Sequence, residues 1–456
     1  MSDTLPVLTT TKPRLGSNYW RLFSAQTISN FGDGLTAVAY PWLASAITRD
    51  PLHIALIAVA TRLPWFLFTL PAGAITDRVD RQRLIVWMNI LQLLITLLVA
   101  LAVLAGQSDF AGPEEIAAGT ASPPDSAGWY LALLYTTALI FGCAEVLRDN
   151  ASQTLMPAIV DSRLLEKANG RLWGTEMVMQ SFVGTPAGGF LIGIAFALPF
   201  FVDAGTFAIA AGLMALLAGT FIAEGRESDP GSMLAQIKEG VRWLWKHSLL
   251  RTLAIFLGVM NAMTMLAFAT FVLFAQEILD LNAPGFGILM TAMAAGGVLG
   301  SLAAARISHR LGSGASLLTT LGGVVVIGLI VGLTSSAAVV WAAMAIGSFL
   351  AVLWNVITVS LRQTIIPDHL LGRVNSVYRF FGWGMMPIGG LLGGVIVSVT
   401  EVVATRKIAI RMPFFVSAGV YLVLFVIALG RLTTARIEDS KAEAQVREGA
   451  SPEEAR

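Results

Sequence analysis

The sequence has one cysteine, Cys143, in 456 residues. That excludes an internal disulfide or a thiolate zinc cluster, and it leaves the redox compartment unreadable. Charge is also scarce. Asp, Glu, Lys and Arg make up 13% of the chain, about half the share of an ordinary soluble domain, which is about 25%. The net charge of +1 provides no field to recruit polyanions, so no nucleic-acid partner is expected. No Gly-x-x-x-x-Gly-Lys-Ser/Thr is present, which excludes an ATPase motor within the chain. The four histidines (His53, His247, His309, His369) have no metal-ligand spacing. No Ser-His-Asp or Cys-His constellation stands out, so neither an enzyme nor a cofactor is expected.

The rest is apolar. Hydrophobic residues make up 55% of the chain and mean hydropathy is +0.73. So much apolar surface does not fit inside a water-soluble body of this length. Spanning a bilayer takes about 20 mainly apolar residues. Twelve such stretches occur: near 19–47, 52–76, 84–107, 128–150, 166–195 and 198–222, then near 250–278, 284–305, 315–334, 337–361, 371–398 and 410–430. They are continuous and contain Gly and Pro, as helices do, whereas a barrel alternates with period two. No cleavable signal is expected, because 1–17 is polar and the first apolar run is long and contains Asp33.

Basic residues set the orientation. With the amino terminus inside, only Arg49, Arg62, Arg406, Lys407 and Arg411 of the 30 Lys and Arg fall in the outer half, and the other 25 are cytoplasmic. The loop 108–127 has none. The chain therefore reads as a multi-pass protein of the cell (inner or plasma) membrane with both termini cytoplasmic.

The two halves repeat. Gln153-Thr154-Leu155-Met156-Pro157 matches Gln363-Thr364-Ile365-Ile366-Pro367, each between the fourth and fifth span of its half. A Pro-x-Gly-Gly segment follows each copy, at Pro186 and at Pro387. Duplicated six-span units are a transporter signature. The division is a tail (1–17), a six-helix bundle (18–222), a linker (223–249), a second bundle (250–430) and a charged tail (431–456). The two tails are expected to be disordered. In the linker Leu234, Ile237, Val241 and Leu244 fall at helical spacing. That describes an amphipathic helix, either on the inner leaflet or in the cytosol.

The loop after span two reads Gly73-Ala74-Ile75-Thr76-Asp77-Arg78-Val79-Asp80-Arg81-Gln82-Arg83. It resembles the Gly-x-x-x-Asp-Arg-x-x-Arg-x-Arg signature of the major facilitator superfamily. The segments Asn30–Leu35 and Glu239–His247 resemble the branch that holds bacterial enterobactin and macrolide exporters. The resemblance implies an all-α integral membrane fold of twelve transmembrane helices in two pseudo-symmetric six-helix bundles. It also implies a conformational switch. Gly73 would allow close helix approach, and Asp77 would cap the start of span eleven near Gly372, Arg373 and Asn375. Arg78 and Arg81 would pair with Glu145 and Asp149 at the inner end of span four, the halves being latched when the outside is open and unlatched when the inside opens. Gly184, Pro186, Gly188 and Gly189 are similar to the family's antiporter motif, departing from it at Gln180 and in the offset of Pro186. They are expected to bend span five and pack it against the other half.

Ionisable groups at bilayer depth are costly and mark function. Asp33 lies 12 residues past Arg21, roughly 18 Å deep at the helical rise. Arg62 lies 15 residues before Asp77, roughly 22 Å deep by the same rise. The two can pair, either structurally or as a proton-coupling site. Glu176 lies near mid-membrane without a local cation, and Arg379 is a partner for it across the halves, or for an anionic cargo. Asp203 reads as a helix-end cap. Asn261 and Asn355 either line a cavity or hydrogen-bond between helices.

The expected function is proton-coupled efflux of small amphipathic compounds, such as drugs or siderophores, by alternating access. The expected partners are a small-molecule substrate, protons and the bilayer, with a monomer as the working unit. A proton- or sodium-coupled importer and a non-transporting receptor are the alternatives.

Overall fold

The computed structural model describes residues 15–76, 78–106, 110, 123–222 and 233–449. These residues are helical, with no strand among them. Span one is α1 (Ser17–Ile47). Span two is broken into α2 (Pro51–Leu67) and α3 (Thr69–Thr76). Spans three and four are α4 (Arg81–Ala105) and α5 (Ala127–Ile159). Span five consists of α6 (Leu165–Glu176), a π-helix (Met177–Gly184) and α7 (Thr185–Ile194). Span six is α8 (Leu198–Ala215).

In the second half α9 (Met233–Lys246) precedes span seven, which is α10 (Ser248–Phe268) with α11 (Phe271–Glu277). Spans eight to twelve are α12 (Ala283–Leu311), α13 (Ser313–Leu333), α14 (Ala337–Ile365), α15 (Asp368–Val403) and α16 (Arg406–Arg431). Among the described residues, ten segments are long and apolar enough to cross a bilayer. The Asp33-bearing α1 and the broken α2–α3 complete twelve.

α4 shows how these helices differ from those of a soluble protein. Its buried face includes Asn89, Gln92 and Thr96, while Leu94, Leu98, Leu101 and Leu104 face outward. Apolar side chains need no burial where the solvent is lipid, whereas polar groups must turn inward. The helix starts are capped by the side chains of Asp50, Asp80 and Asn282, each accepting from a backbone N–H. Capping satisfies donors that hydrocarbon cannot. Arginines do the same for carbonyls at helix ends: Arg21 donates to Leu216 O (2.5 Å), and Arg411 to Gly332 O (2.6 Å) and Thr334 O (2.9 Å).

The cores explain the overall shape. At the end away from the two tails, the outer end of the expected orientation, one continuous apolar cluster joins both halves, with Trp42, Leu43 and Ile54 against Phe271, Phe274, Phe286 and Phe414. At the inner end there are two separate clusters, one around Tyr19, Ile85 and Leu155 and one around Leu250, Trp354 and Tyr378. The halves are thus fused outside and apart inside.

One expectation about the flanks changes. The tail is not disordered throughout, because α17 (Thr434–Gly449) forms against α13 and α14. Its charges suggested a solvated coil, but Ile437 is fully buried and anchors it. The linker helix α9 packs on α15 and α10, with Leu244 buried and Glu239 bonded to Arg373 at 2.5 Å. Residues 223–232 of the linker, most of 1–17 and most of the loop 108–127 lie outside the described residues.

Candidate functional site

The central charge of the amino-terminal half is Arg148, one of the 25 basic residues expected on the cytoplasmic side. α5 continues to Ile159, so Arg148 lies well inside the helix. Its guanidinium donates to Asp33 Oδ2 (3.2 Å), Gln92 Oε1 (3.1 Å) and Asp149 Oδ1 (3.4 Å), and it lies 5.7 Å from the Phe207 ring centroid. The Arg148 and Asp33 side chains are each 9% exposed. Planar guanidinium suits this role, since it serves three acceptors in different directions and stays charged.

The expected Asp33–Arg62 pair does not form. Arg62 is exposed and has no ion pair among the described residues, while Asp33 faces span four. Equal depth on neighbouring helices does not put two side chains on facing surfaces.

Other acids gather around Arg148. Glu145, one turn earlier on α5, accepts from Trp65 Nε1 at 3.3 Å. Glu176, on the last turn of α6, is exposed and within electrostatic range of Arg148 and Glu145. The expected Glu176–Arg379 contact is not made. Both residues are exposed and they form no pair among the described residues. Glu176 ends α6, Arg379 lies on α15, and Trp173 of α6 is 75% exposed.

The halves meet along two seams. On one, α2 packs on α15, and Trp65 stacks on Trp383 (5.4 Å) with Phe66 against Phe380 (5.0 Å). On the other, α7 packs on α12. There a Cβ on Gly189 would lie 2.3 Å from Ala283 O, and one on Gly287 would lie 2.4 Å from Thr185 O, next to Pro186. Gly184 and Gly188 turn the other way, onto Gly34 and Leu35 of α1. Pro186 does not simply kink the helix. The turns before it widen into the π-helix, and Thr185 N–H bonds to Gln180 O five residues back. Proline cannot donate and crowds the carbonyl four residues before it, and a wide turn accommodates both defects.

The outer end is closed by a charged lattice. Glu277 of α11 pairs with Arg49, at the end of α1, and accepts from Arg406 Nε (2.7 Å) and Nη2 (2.9 Å). Arg49 also donates to Gln276 Oε1 (2.6 Å), and Gln276 Nε2 donates to Ser45 Oγ (2.8 Å). Arg406 reaches Arg49 O (2.9 Å) and Glu401 Oε1 (2.6 Å). Three of the five outer basic residues are thus accounted for, two by this lattice and Arg411 by its cap.

The loop after span two looks different from the expectation. Arg81 donates to Thr154 O (3.1 Å), and neither Arg78 nor Arg81 reaches Glu145 or Asp149 among the described residues. Among the described residues a Cβ on Gly73 would meet nothing within 4 Å, so no close helix approach is seen there. Asp77 lies outside the described residues. Asn261 bonds Gly382 O between helices (2.9 Å). Asp203 is not a helix-end cap. It is fully buried against the middle of α1.

A twelve-span bundle in two halves, with ion pairs at mid-membrane and at one mouth, is the architecture of a carrier. The profile of the Major Facilitator Superfamily matches residues 22–389. The chain belongs to that superfamily. It is a multi-pass membrane transporter and not an enzyme. It is 28% identical over 417 residues to the multidrug efflux pump Tap of Mycolicibacterium fortuitum, covering 86% of this chain and 91% of that one. It is 25% identical over 417 residues to the enterobactin exporter EntS of Escherichia coli, covering 90% and 92%. Among solved structures, an inward-facing bacterial homologue of the iron transporter ferroportin superposes with a TM-score of 0.67 at 15% identity, covering 91% of this chain and 98% of that one.

Proposed function

We propose that this transporter is a proton-coupled exporter of small amphipathic compounds, drugs or siderophores, working as a monomer in the cell membrane with both termini in the cytoplasm. The observation that carries the coupling is the buried Asp33–Arg148 pair, with Glu176 beside it at the open inner mouth. The similarity to the efflux pump Tap and the exporter EntS supports efflux.

The conformation is inward-open, because the core is shared only at the outer end and Arg49, Glu277 and Arg406 close that end. Cargo enters from the cytoplasm or inner leaflet into a cavity bordered by Glu176, Trp65, Arg379 and Trp383. With cargo bound, the inner ends close, and Asp77, Arg78 and Arg81 of the inner loop engage span eleven and the inner end of span four. The outer lattice parts and cargo leaves. A proton from outside then binds Asp33 or Glu176. Neutral Asp33 releases Arg148 to the remaining acids, which favours return to the inward-open state. The gradient supplies the bias through the difference in proton affinity between the two states.

The test uses inside-out membrane vesicles and a panel of cationic dyes and catecholate compounds. Acidifying the vesicle interior should drive accumulation of at least one compound, and Asp33→Asn should abolish the gradient's effect. Accumulation that ignores the gradient in the wild type sinks the proposal.

A further inference from the structure

We propose that Asp203 and Asp33 form a two-carboxylate proton site inside the amino-terminal half, walled off from the cargo cavity. The inference rests on the proton-coupled reading above and names where the proton is held.

Asp203 is the one charged residue of α8. Its level is fixed by its contact: Gly32, the midpoint of α1, faces it. A Cβ on Gly32 would lie 2.0 Å from Asp203 Oδ1 and 2.3 Å from Thr206 Oγ1. Glycine is what lets the carboxyl approach the middle of span one. The side chain is fully buried, so cargo cannot touch it. Oδ1 accepts from Thr206 Oγ at 3.2 Å, a long bond whose single proton is shared with Asp203 O at 2.7 Å. Among the described residues Oδ2 has no hydrogen-bond partner, and neither does Oδ1 of Asp33. A structural acid buried this deeply has its oxygens satisfied, and an unsatisfied carboxylate at this depth is held most cheaply as the neutral acid.

The surroundings contain one cation, Arg148, for Asp203, Asp33 and, on the far side of Asp33, Asp149 and Glu145 of α5 and Glu176 of α6. From α1, Asp33 and Tyr40 face Asp203, and the Tyr40 hydroxyl is likewise buried without a partner. From α5 comes Arg148, which is already bonded to Asp33. α4 brings the neutral Asn89, Gln92 and Thr96, and its Arg81 and Arg83 lie at its inner start. α7 and the rest of α8 bring no titratable group.

An inner route is also built. A cavity of about 10 Å³ lies beside Arg148, bordered by the polar groups of Gln26, Ser29, Asn89 and Ser152. It has room for about one water molecule and the partners to hold it. Gln92 Nε2, Asn89 Oδ1 and Thr96 Oγ lie along the same seam, buried and with bonding capacity unused.

The step is a plain proton transfer. A proton from outer water forms the O–H bond at Asp203 Oδ2 or Asp33 Oδ1. On release that bond breaks, the proton passes to water in the Ser29–Asn89–Ser152 seam and on to the cytoplasm, and the new carboxylate stands against Arg148.

Infrared difference spectra of the full chain in liposomes, titrated from mildly acidic to mildly alkaline pH, test this without any cargo. The wild type should show the carbonyl stretch of a buried protonated carboxylic acid, shifted by carbon-13 aspartate. Asp203→Asn should remove that band. Should Asp203→Asn fail to fold, Thr206→Val serves instead, moving the band to higher frequency because one hydrogen bond is gone. No such band in the wild type, a band unmoved by Thr206→Val, or one that survives in folded Asp203→Asn overturns the proposal. The coupling reading fails separately, when wild-type vesicles move dye indifferently to the gradient while the band is intact.

Discussion

Glu277→Gln tests the outer closure most sharply. Glu277 is the hub of the lattice. It holds Arg49 of the amino-terminal half and Arg406 of the carboxy-terminal half, and the Arg49 and Glu277 side chains are 14% and 11% exposed. Removing one partner of a well-buried pair costs about 3–5 kcal/mol, because the surviving charge is left desolvated. Two features reduce that here. Arg49 keeps its bond to Gln276 Oε1, and Arg406 is 35% exposed, so water screens it. A cost of about 2 kcal/mol remains. The outward-open state, in which these groups part and hydrate, bears little of it. The inward-to-outward population ratio should therefore fall about 30-fold. Spin labels at Asp125 and Lys407, exposed on opposite halves at the outer end, read this by pulsed dipolar distances in a Cys143→Ser background. The account expects a longer-distance population to grow in Glu277→Gln. An unchanged distance distribution would refute the assignment of Glu277 as the closing residue.

Other outcomes follow from the same geometry. Arg148→Met leaves two buried carboxylates without their cation and should cost about 3–5 kcal/mol, seen as a large drop in melting temperature. Arg148→Lys keeps the charge but not the three-way fork, and should fold while losing gradient-driven transport. Gly34→Leu forces a side chain against Gln180 O, 2.2 Å from its Cβ position. It should destabilise by about 1–3 kcal/mol through overpacking, whereas Gly73→Ala meets nothing and should change stability by less than about 0.5 kcal/mol. Ile437→Asp removes the buried anchor of α17 and should expose 434–449 to limited proteolysis. Equal resistance in the variant contradicts the docking.

Much of the fold was legible because hydropathy reports directly on bilayer length. The twelve stretches match the helices within a few residues at most ends, and the Gln-Thr repeat marks the same place in both halves. The central ion pair was not legible. Residues 144–150 look like the polar end of a span, so Arg148 was counted as cytoplasmic. The continuing helix-compatible run Ala151–Ile159 was the signal that the helix goes on for nine more residues, about 13 Å further. Depth alone suggested Arg62 for Asp33, but depth does not fix which way each helix faces, and that is set by packing such as Gly34 on Gly184. Asp203 was misjudged for the opposite reason. It sits near the start of its own helix, but α8 is short, and its first turns lie beside the middle of α1.

The central claim is that an inward-open carrier exchanges cargo for protons through the acids around Arg148. The most direct measurement is proton movement on adding cargo to proteoliposomes that contain a trapped pH-sensitive dye and no imposed gradient. Cargo entry through the wild type should move protons the opposite way, and Asp33→Asn should uncouple the two. Cargo entry with no proton movement, or with protons moving alongside it, contradicts the account.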